Sequence, residues 1–318
     1  MFTLNRWFDA GLEVYELSEP GGTMARVVPA RGGIVAEFAS QGVPVFYLDQ
    51  DTLRDPGKNI RGGNPVLFPI CGPLEDGKYT LPDGGQYAMK QHGLARNMCW
   101  QVVEVDCKHD GSRITLEVSS DEKTKQAYPF DFRLVFTYIV EPDRLTIKQT
   151  YYNNSQKDMP FYAGFHPYFL APGEKAVGLD IPSSEYFDLK TGETRPFDGW
   201  LDMQSRPETN LVFSGLTRPQ ASFDRPDGWR ITVRFDDNFR YIVLWALQDK
   251  DFFCLEPWMG NNYDLNRGQA RSVAPGRSLT ASVSYQIDKI TFKKRPAGVL
   301  AAIPHRTELI LELRQVEA

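Results

Sequence analysis

Two segments of this chain set a titratable side chain inside an apolar, aromatic-rich run and directly before a proline. In Phe161-Tyr162-Ala163-Gly164-Phe165-His166-Pro167-Tyr168-Phe169, Pro167 forces His166 into extended backbone and ends regular sheet pairing just after it. The imidazole is then displayed at a strand end, among rings that could flank the apolar face of a ligand. A core histidine stacked on aromatics and bonded to backbone fits the same run. In Phe252-Phe253-Cys254-Leu255-Glu256-Pro257-Trp258, a carboxylate interrupts an apolar strand. Burying it unpaired is costly, so Glu256 must be hydrogen-bonded, ion-paired or turned to a cleft. Trp258, two residues on, points to the same side and can wall such a cleft. A structural ion pair of Glu256 with Arg61 or Arg96 is the competing reading.

A third region joins Asn59-Ile60-Arg61-Gly62-Gly63-Asn64-Pro65-Val66-Leu67-Phe68-Pro69 to Lys90-Gln91-His92-Gly93-Leu94-Ala95-Arg96. Glycine pairs beside Arg and His allow backbone to approach a ligand, though Gly62-Gly63 equally suits a tight turn. Neither GxGxxG nor a GK[ST] ending is present, so no nucleotide-binding fingerprint is read here.

The elements that must position these residues read as strands. Leu279–Ile287, Arg230–Phe235, Ile114–Val118 and Leu145–Lys148 alternate apolar and polar residues, with one face for a core and one for water. Tyr241–Leu247, Val43–Leu48 and Val66–Ile70 are continuously apolar and predict strands buried on both faces. Asp110-Gly111, Glu141-Pro142-Asp143, Asp83-Gly84-Gly85 and Asp227-Gly228 supply turns. Helix signals are weak: a short helix over Asp121–Ala127, before Pro129, and an ambiguous stretch over Thr307–Val316. The expectation is an all-β antiparallel sandwich or barrel, one domain over residues 1–318, with 290–318 as an appended C-terminal element.

Composition narrows the function. The 318 residues carry a net charge of −5 and no dense Lys/Arg run, which argues against nucleic acid or an anionic membrane as partner. The N-terminus lacks an apolar leader, and no stretch approaches 18 uninterrupted apolar residues, so the cytoplasm is the expected location. Cys71, Cys99, Cys107 and Cys254 are irregularly spaced, which predicts reduced thiols. The four histidines show no ligand spacing, so no metal is expected. Aromatics reach 13%, enough for a core and for a carbohydrate-binding surface.

Taken together, Asn64–Pro69, Gln91–Arg96, Gly164–Phe169 and Leu255–Trp258 resemble the aldose 1-epimerase (galactose mutarotase-like) superfamily in order and spacing, over roughly residues 10–290. The resemblance implies a large antiparallel β-supersandwich, with Glu256 as the active-site glutamate, His166 as the acid histidine and His92 as the second histidine. It also exposes two departures. Asn210 stands where galactose mutarotases carry a substrate-binding aspartate, and Gly72-Pro73-Leu74 replaces their arginine. Arg61 and Arg96 look instead like the paired arginines of hexose-6-phosphate 1-epimerases, where two guanidiniums suit a phosphate dianion; either could equally brace Glu256 or its loop.

The implied reaction interconverts the α and β anomers of a hexose or hexose phosphate. A base takes the proton of the C1 hydroxyl, an acid protonates the ring oxygen, and the opened aldehyde turns and recloses. Glu256 near its reference pKa of about 4.3 serves as base, and His166 near about 6.5, held charged by a neighbouring carboxylate, serves as acid. Neither metal nor other cofactor enters. A glycoside hydrolase would need two flanking carboxylates, and only one clear candidate is seen. A non-catalytic carbohydrate-binding protein on the same scaffold is the alternative from another class.

Overall fold

The computed structural model describes residues 1–173 and 178–290. Two large antiparallel sheets dominate. One runs, in spatial order, Gly178–Asp180, Gln220–Asp224, Trp229–Phe235, Ser278–Lys289, Arg144–Asn153, Phe132–Glu141, Gly111–Ser119, Gln101–Lys108. The other runs Glu193–Pro196, Glu185–Asp188, Glu208–Phe213, Tyr241–Leu247, Phe252–Trp258, Gly164–Phe165, Val66–Leu67, and Tyr168–Leu170 also pairs with Phe252–Trp258. A five-stranded N-terminal meander extends from Thr3–Asp9 to Val43–Pro44. The chain is thus all-β, a large antiparallel sandwich.

The alternating segments form strands because their apolar residues meet across the interior. Val283, Tyr285 and Ile287 are fully buried, as are Ile114, Leu116, Leu145 and Ile147. Rings join the two layers: Phe253 lies 4.6 Å from Phe223, Phe169 lies 5.0 Å from Phe223, and Phe136 lies 6.2 Å from Phe165. Each such ring removes roughly 1.5–3 kcal/mol worth of apolar surface from water. Most aromatics therefore belong to the core. All four predicted turns fall between paired strands. The expected helix forms over Glu122–Ala127, with Asp121 accepting from Thr124 N at 2.7 Å in a capping box.

Two continuously apolar segments are shorter as strands than expected. Only Val43–Pro44 and Val66–Leu67 pair regularly. Pro69 has no N–H for a ladder, and the Phe68 carbonyl is taken by Leu94 N (2.7 Å) and Ala95 N (3.1 Å). Burial survives without the strand, since Val66, Leu67, Phe68 and Ile70 are wholly enclosed. Tyr241–Leu247 is a strand as expected, fully buried on one face and only in part on the other, where Val243 is enclosed. Ile242, Leu244 and Ala246 enter the core, while Tyr241, Trp245 and Leu247 are half-buried on the opposite face. The expectations for Thr307–Val316 and for a C-terminal element, apart from Ile290, lie outside the described residues.

Candidate active site

The core pattern of the second sheet determines what its other face can hold. On Phe252–Trp258, Phe253 and Leu255 point inward, so Cys254, Glu256 and Trp258 share the outer face. Glu256 pairs with Val243, and Cys254 pairs with Trp245 and Tyr168. Pro167 separates Gly164–Phe165 from Tyr168–Leu170, and His166 sits at that break, its N–H donating to Pro65 O at 3.1 Å. The interruption read from the sequence is there. It delivers the imidazole beside the carboxylate: His166 Nε2 lies 3.4 Å from Glu256 Oε1.

A cavity of about 280 Å³, at the small end for ligand sites, opens over this pair. His166, Glu256, His92, Arg61, Arg96, Asn210 and Trp258 all line it, so the candidate catalytic and binding side chains read from the sequence converge on one space. A larger hollow of about 1010 Å³ beside the Glu122–Ala127 helix contains no histidine and no buried carboxylate. The buried histidines and the buried carboxylate lie with the smaller one.

The carboxylate is divided between two partners. Oε1 faces His166, and Oε2 accepts the Trp258 indole N–H at 3.1 Å. Trp258 thus orients Glu256 as well as walling the site. The expected alternative of a Glu256–arginine pair does not form: among the described residues, His166 is the ion-pair partner of Glu256, and neither Arg61 nor Arg96 pairs with any carboxylate. Arg61 lies over the Trp245 ring at 5.6 Å. His166 is indeed stacked on an aromatic, Tyr168, at 4.7 Å and 15°, but its ring also reaches the cavity.

The expected ordinary pKa values are corrected by burial. Glu256 is 1% exposed and His166 8%. Desolvation holds Glu256 well above the usual carboxylate range, despite the Trp258 hydrogen bond and the Arg96 charge. Desolvation, and then Arg96, push His166 down to about 3. The two groups form a coupled pair in which burial favours the proton on Glu256 over His166.

His92 is held neutral by burial, with His166 and Arg96 acting in the same direction. Its Nδ1 accepts the Gly72 N–H at 3.1 Å, so in the neutral ring Nε2 carries the proton and is left to donate to an oxygen in the cavity; the Gln91 side-chain nitrogen, itself a donor, lies 3.1 Å from it. Gly72 has φ +72° and a Cβ there would strike Asn262 Oδ1. The Gly62-Gly63 pair serves the chain itself. A Cβ at Gly62, where φ is +133°, would meet the Leu48 backbone, and Gly63 N donates to Tyr47 O at 2.7 Å. Those glycines make room for protein, not ligand.

Trp245, Tyr168, Gln91, Asn262 and Glu208 also line the cavity and were not singled out. Trp245 was hidden in a run that looked uniformly apolar. Glu208 is a second carboxylate, but it is already engaged: Oε1 accepts from Trp245 Nε1 at 2.9 Å, and Oε2 pairs with Lys190. One ligand atom each of His166, Cys254 and Glu256 lie within 4.8 Å of one another, a grouping that linear spacing of histidines could not reveal. None of the described helices is long and apolar enough to cross a membrane.

Comparison with known proteins bears on the family and the fold. The family model for aldose 1-epimerase matches residues 13–286. The Slr1438 protein of Synechocystis sp. PCC 6803 is 38% identical, and the match covers 91% of this chain and 98% of that one with a TM-score of 0.84. A galactose mutarotase-like protein of Clostridium acetobutylicum shares the fold at 20% identity and TM-score 0.77, covering 91% and 99%. Among curated relatives, the chromosomal LacX protein of Lactococcus lactis subsp. lactis is 27% identical over 65% of this chain and 77% of its own length. A protein of Escherichia coli K12, named provisionally a glucose-6-phosphate 1-epimerase, is 32% identical over 32% of this chain and 35% of its own.

Proposed function

The chain belongs to the aldose 1-epimerase family, and on that premise we propose that it interconverts the α and β anomers of a hexose, with Glu256 and His166 moving the two protons. The observation that carries this reading is the 3.4 Å contact of imidazole and carboxylate at the floor of a cavity large enough for little more than a sugar ring.

The reaction needs a base at the C1 hydroxyl and an acid at the ring oxygen, side by side. When sugar enters, the working form of the pair is carboxylate and imidazolium. Glu256 takes the O1 proton, His166 gives its own to the ring oxygen, and the ring opens to the aldehyde. At that stage Glu256 is protonated and His166 neutral, the arrangement that burial favours. Ring opening thus discharges an ion pair in a poorly solvated site, and desolvation lowers the energy of the intermediate relative to the closed sugar. Rotation about C1–C2 and reversal of both transfers yields the other anomer. Each positioned group contributes roughly 10²–10⁴-fold. His92, neutral and donating through Nε2, and Asn210 suit hydroxyl recognition. Glu208, tied to Lys190 and Trp245, is poorly placed to act as a second glycosidase carboxylate.

A second reading concerns the substrate. Arg61 and Arg96 border the cavity without carboxylate partners, and burial, with Arg61 nearby, holds Arg96 below the usual guanidinium range. Two unneutralised guanidiniums at the mouth of a sugar site fit a phosphate on the hexose. Polarimetry tests both readings with glucose, galactose and their 6-phosphates as substrates. Loss of catalysed mutarotation in His166→Ala and in Glu256→Gln is expected. Full activity in both variants overturns the assignment, and sugar binding by the wild type without faster exchange points to a non-catalytic carbohydrate-binding protein.

A further inference from the structure

We propose that the floor of the cavity is also an inhibitory site for a thiophilic divalent cation of the zinc class, held by His166, Cys254 and Glu256. Cation binding stands on the side-chain geometry alone, whereas inhibition rests on the acid–base reading above. Cys254 has no part in proton transfer, yet its position two residues before Glu256 turns it to the same outer face. It is fully buried, and its thiol, unlike those of Cys71, Cys99 and Cys107, makes no hydrogen bond among the described residues.

The donor set suits such an ion. One ligand atom each of His166, Cys254 and Glu256 lie within 4.8 Å of one another. Around a tetrahedral zinc, with bonds of about 2.0–2.3 Å, ligand atoms stand about 3.3–3.8 Å apart, so closure requires shifts of about 1 Å. A thiolate selects Zn²⁺, Cd²⁺ or Co²⁺ over Mg²⁺ and Ca²⁺, which prefer oxygen. Charge also balances. Binding expels the thiol proton and the proton of the coupled imidazole–carboxylate pair, both to solvent. The resulting M²⁺, thiolate and carboxylate then sum to zero, so Arg61 and Arg96 face a neutral unit. Three protein ligands leave a tetrahedral ion one further position, which water or a sugar hydroxyl can fill from the cavity that His166 and Glu256 line. A cation here uses the lone pairs that proton transfer requires.

The test uses the full chain with the exposed Cys99 and Cys107 changed to serine, stripped with chelator and titrated with Co²⁺ and then Zn²⁺. We expect a thiolate-to-cobalt charge-transfer band that saturates at one ion per chain and is displaced by Zn²⁺. Adding Cys254→Ser should abolish the band and weaken Zn²⁺ inhibition of exchange, measured against each variant's own metal-free rate. The weakening should be at least about tenfold, since even an outer partner of a metal site is worth that much. No band before that change, or a band that persists after it, overturns the site. A band in a protein whose metal-free form exchanges no anomers overturns the epimerase reading instead, and leaves the metal site standing.

Discussion

Replacing Trp258 with phenylalanine should slow anomer exchange about 10- to 100-fold at saturating sugar, through an effect on Glu256 rather than on binding. The indole N–H donates to Glu256 Oε2 at 3.1 Å, and the other carboxylate oxygen faces His166. A hydrogen bond to a charged group contributes about 1.5–3 kcal/mol, which at 1.36 kcal/mol per unit corresponds to about one to two pKa units. Without it, a carboxyl already raised by burial rises further. Forming the carboxylate–imidazolium pair then costs that much more, and kcat falls by the same factor. Phenylalanine retains a ring to pack against His92, whose centroid lies 6.1 Å from that of Trp258. Stopped polarimetry across pH reads both consequences: kcat drops while KM changes little, and the alkaline limb of the profile moves upward. A variant exchanging at the wild-type rate with an unmoved alkaline limb would refute the idea that this N–H tunes the base.

Other outcomes follow from the same geometry. Because burial lowers His166 to about 3, kcat/KM should hold its value as pH falls through about 6.5, the ordinary histidine value; an acid limb near 6.5 contradicts the coupled pair. Linkage gives a second sign: a histidine neutral in the fold contributes stability fully present above about 6.5 and lost progressively as pH falls toward 3, so His166→Asn should flatten the acid side of a Tm-versus-pH curve. Arg61→Ala with Arg96→Ala should reduce activity on hexose 6-phosphates selectively, whereas an equal loss on neutral sugars assigns the arginines to bracing the site. Arg31 is buried, and its Nη2 donates to the carbonyls of Thr52 (3.1 Å), Asp55 (3.0 Å) and Lys58 (3.1 Å) in the loop leading to Arg61. Arg31→Met should lower stability by about 1–3 kcal/mol in thermal unfolding. It should also raise KM for phosphorylated sugar more than it changes kcat.

The fold was legible wherever period-2 alternation and turn chemistry agreed, as in Leu279–Ile287 and the Asp110-Gly111 hairpin. It was not legible where proline and tertiary contacts overrode an apolar run, as at Val66–Ile70. The candidate site was readable because a charged or titratable residue in an apolar run has to be accommodated somewhere; Pro167 breaks the strand at His166, whereas Pro257 stays within the strand that carries Glu256. Their protonation was not readable: reference pKa values fail when both partners are desolvated together. Nor were Trp245, which lines the cavity, and Cys254, which lies beside Glu256 on the same face of its strand, because their placement depends on register between paired strands rather than on local sequence.

The central claim is that one imidazole and one carboxylate exchange protons with the same sugar. NMR exchange spectroscopy between the C1 protons of the α and β anomers at equilibrium measures this directly, in water, with wild type, Glu256→Gln and His166→Ala at equal folded concentration. The account predicts catalysed exchange by the wild type and background rates in both variants, with their thermal unfolding still cooperative. Exchange at the wild-type rate in either folded variant would contradict it.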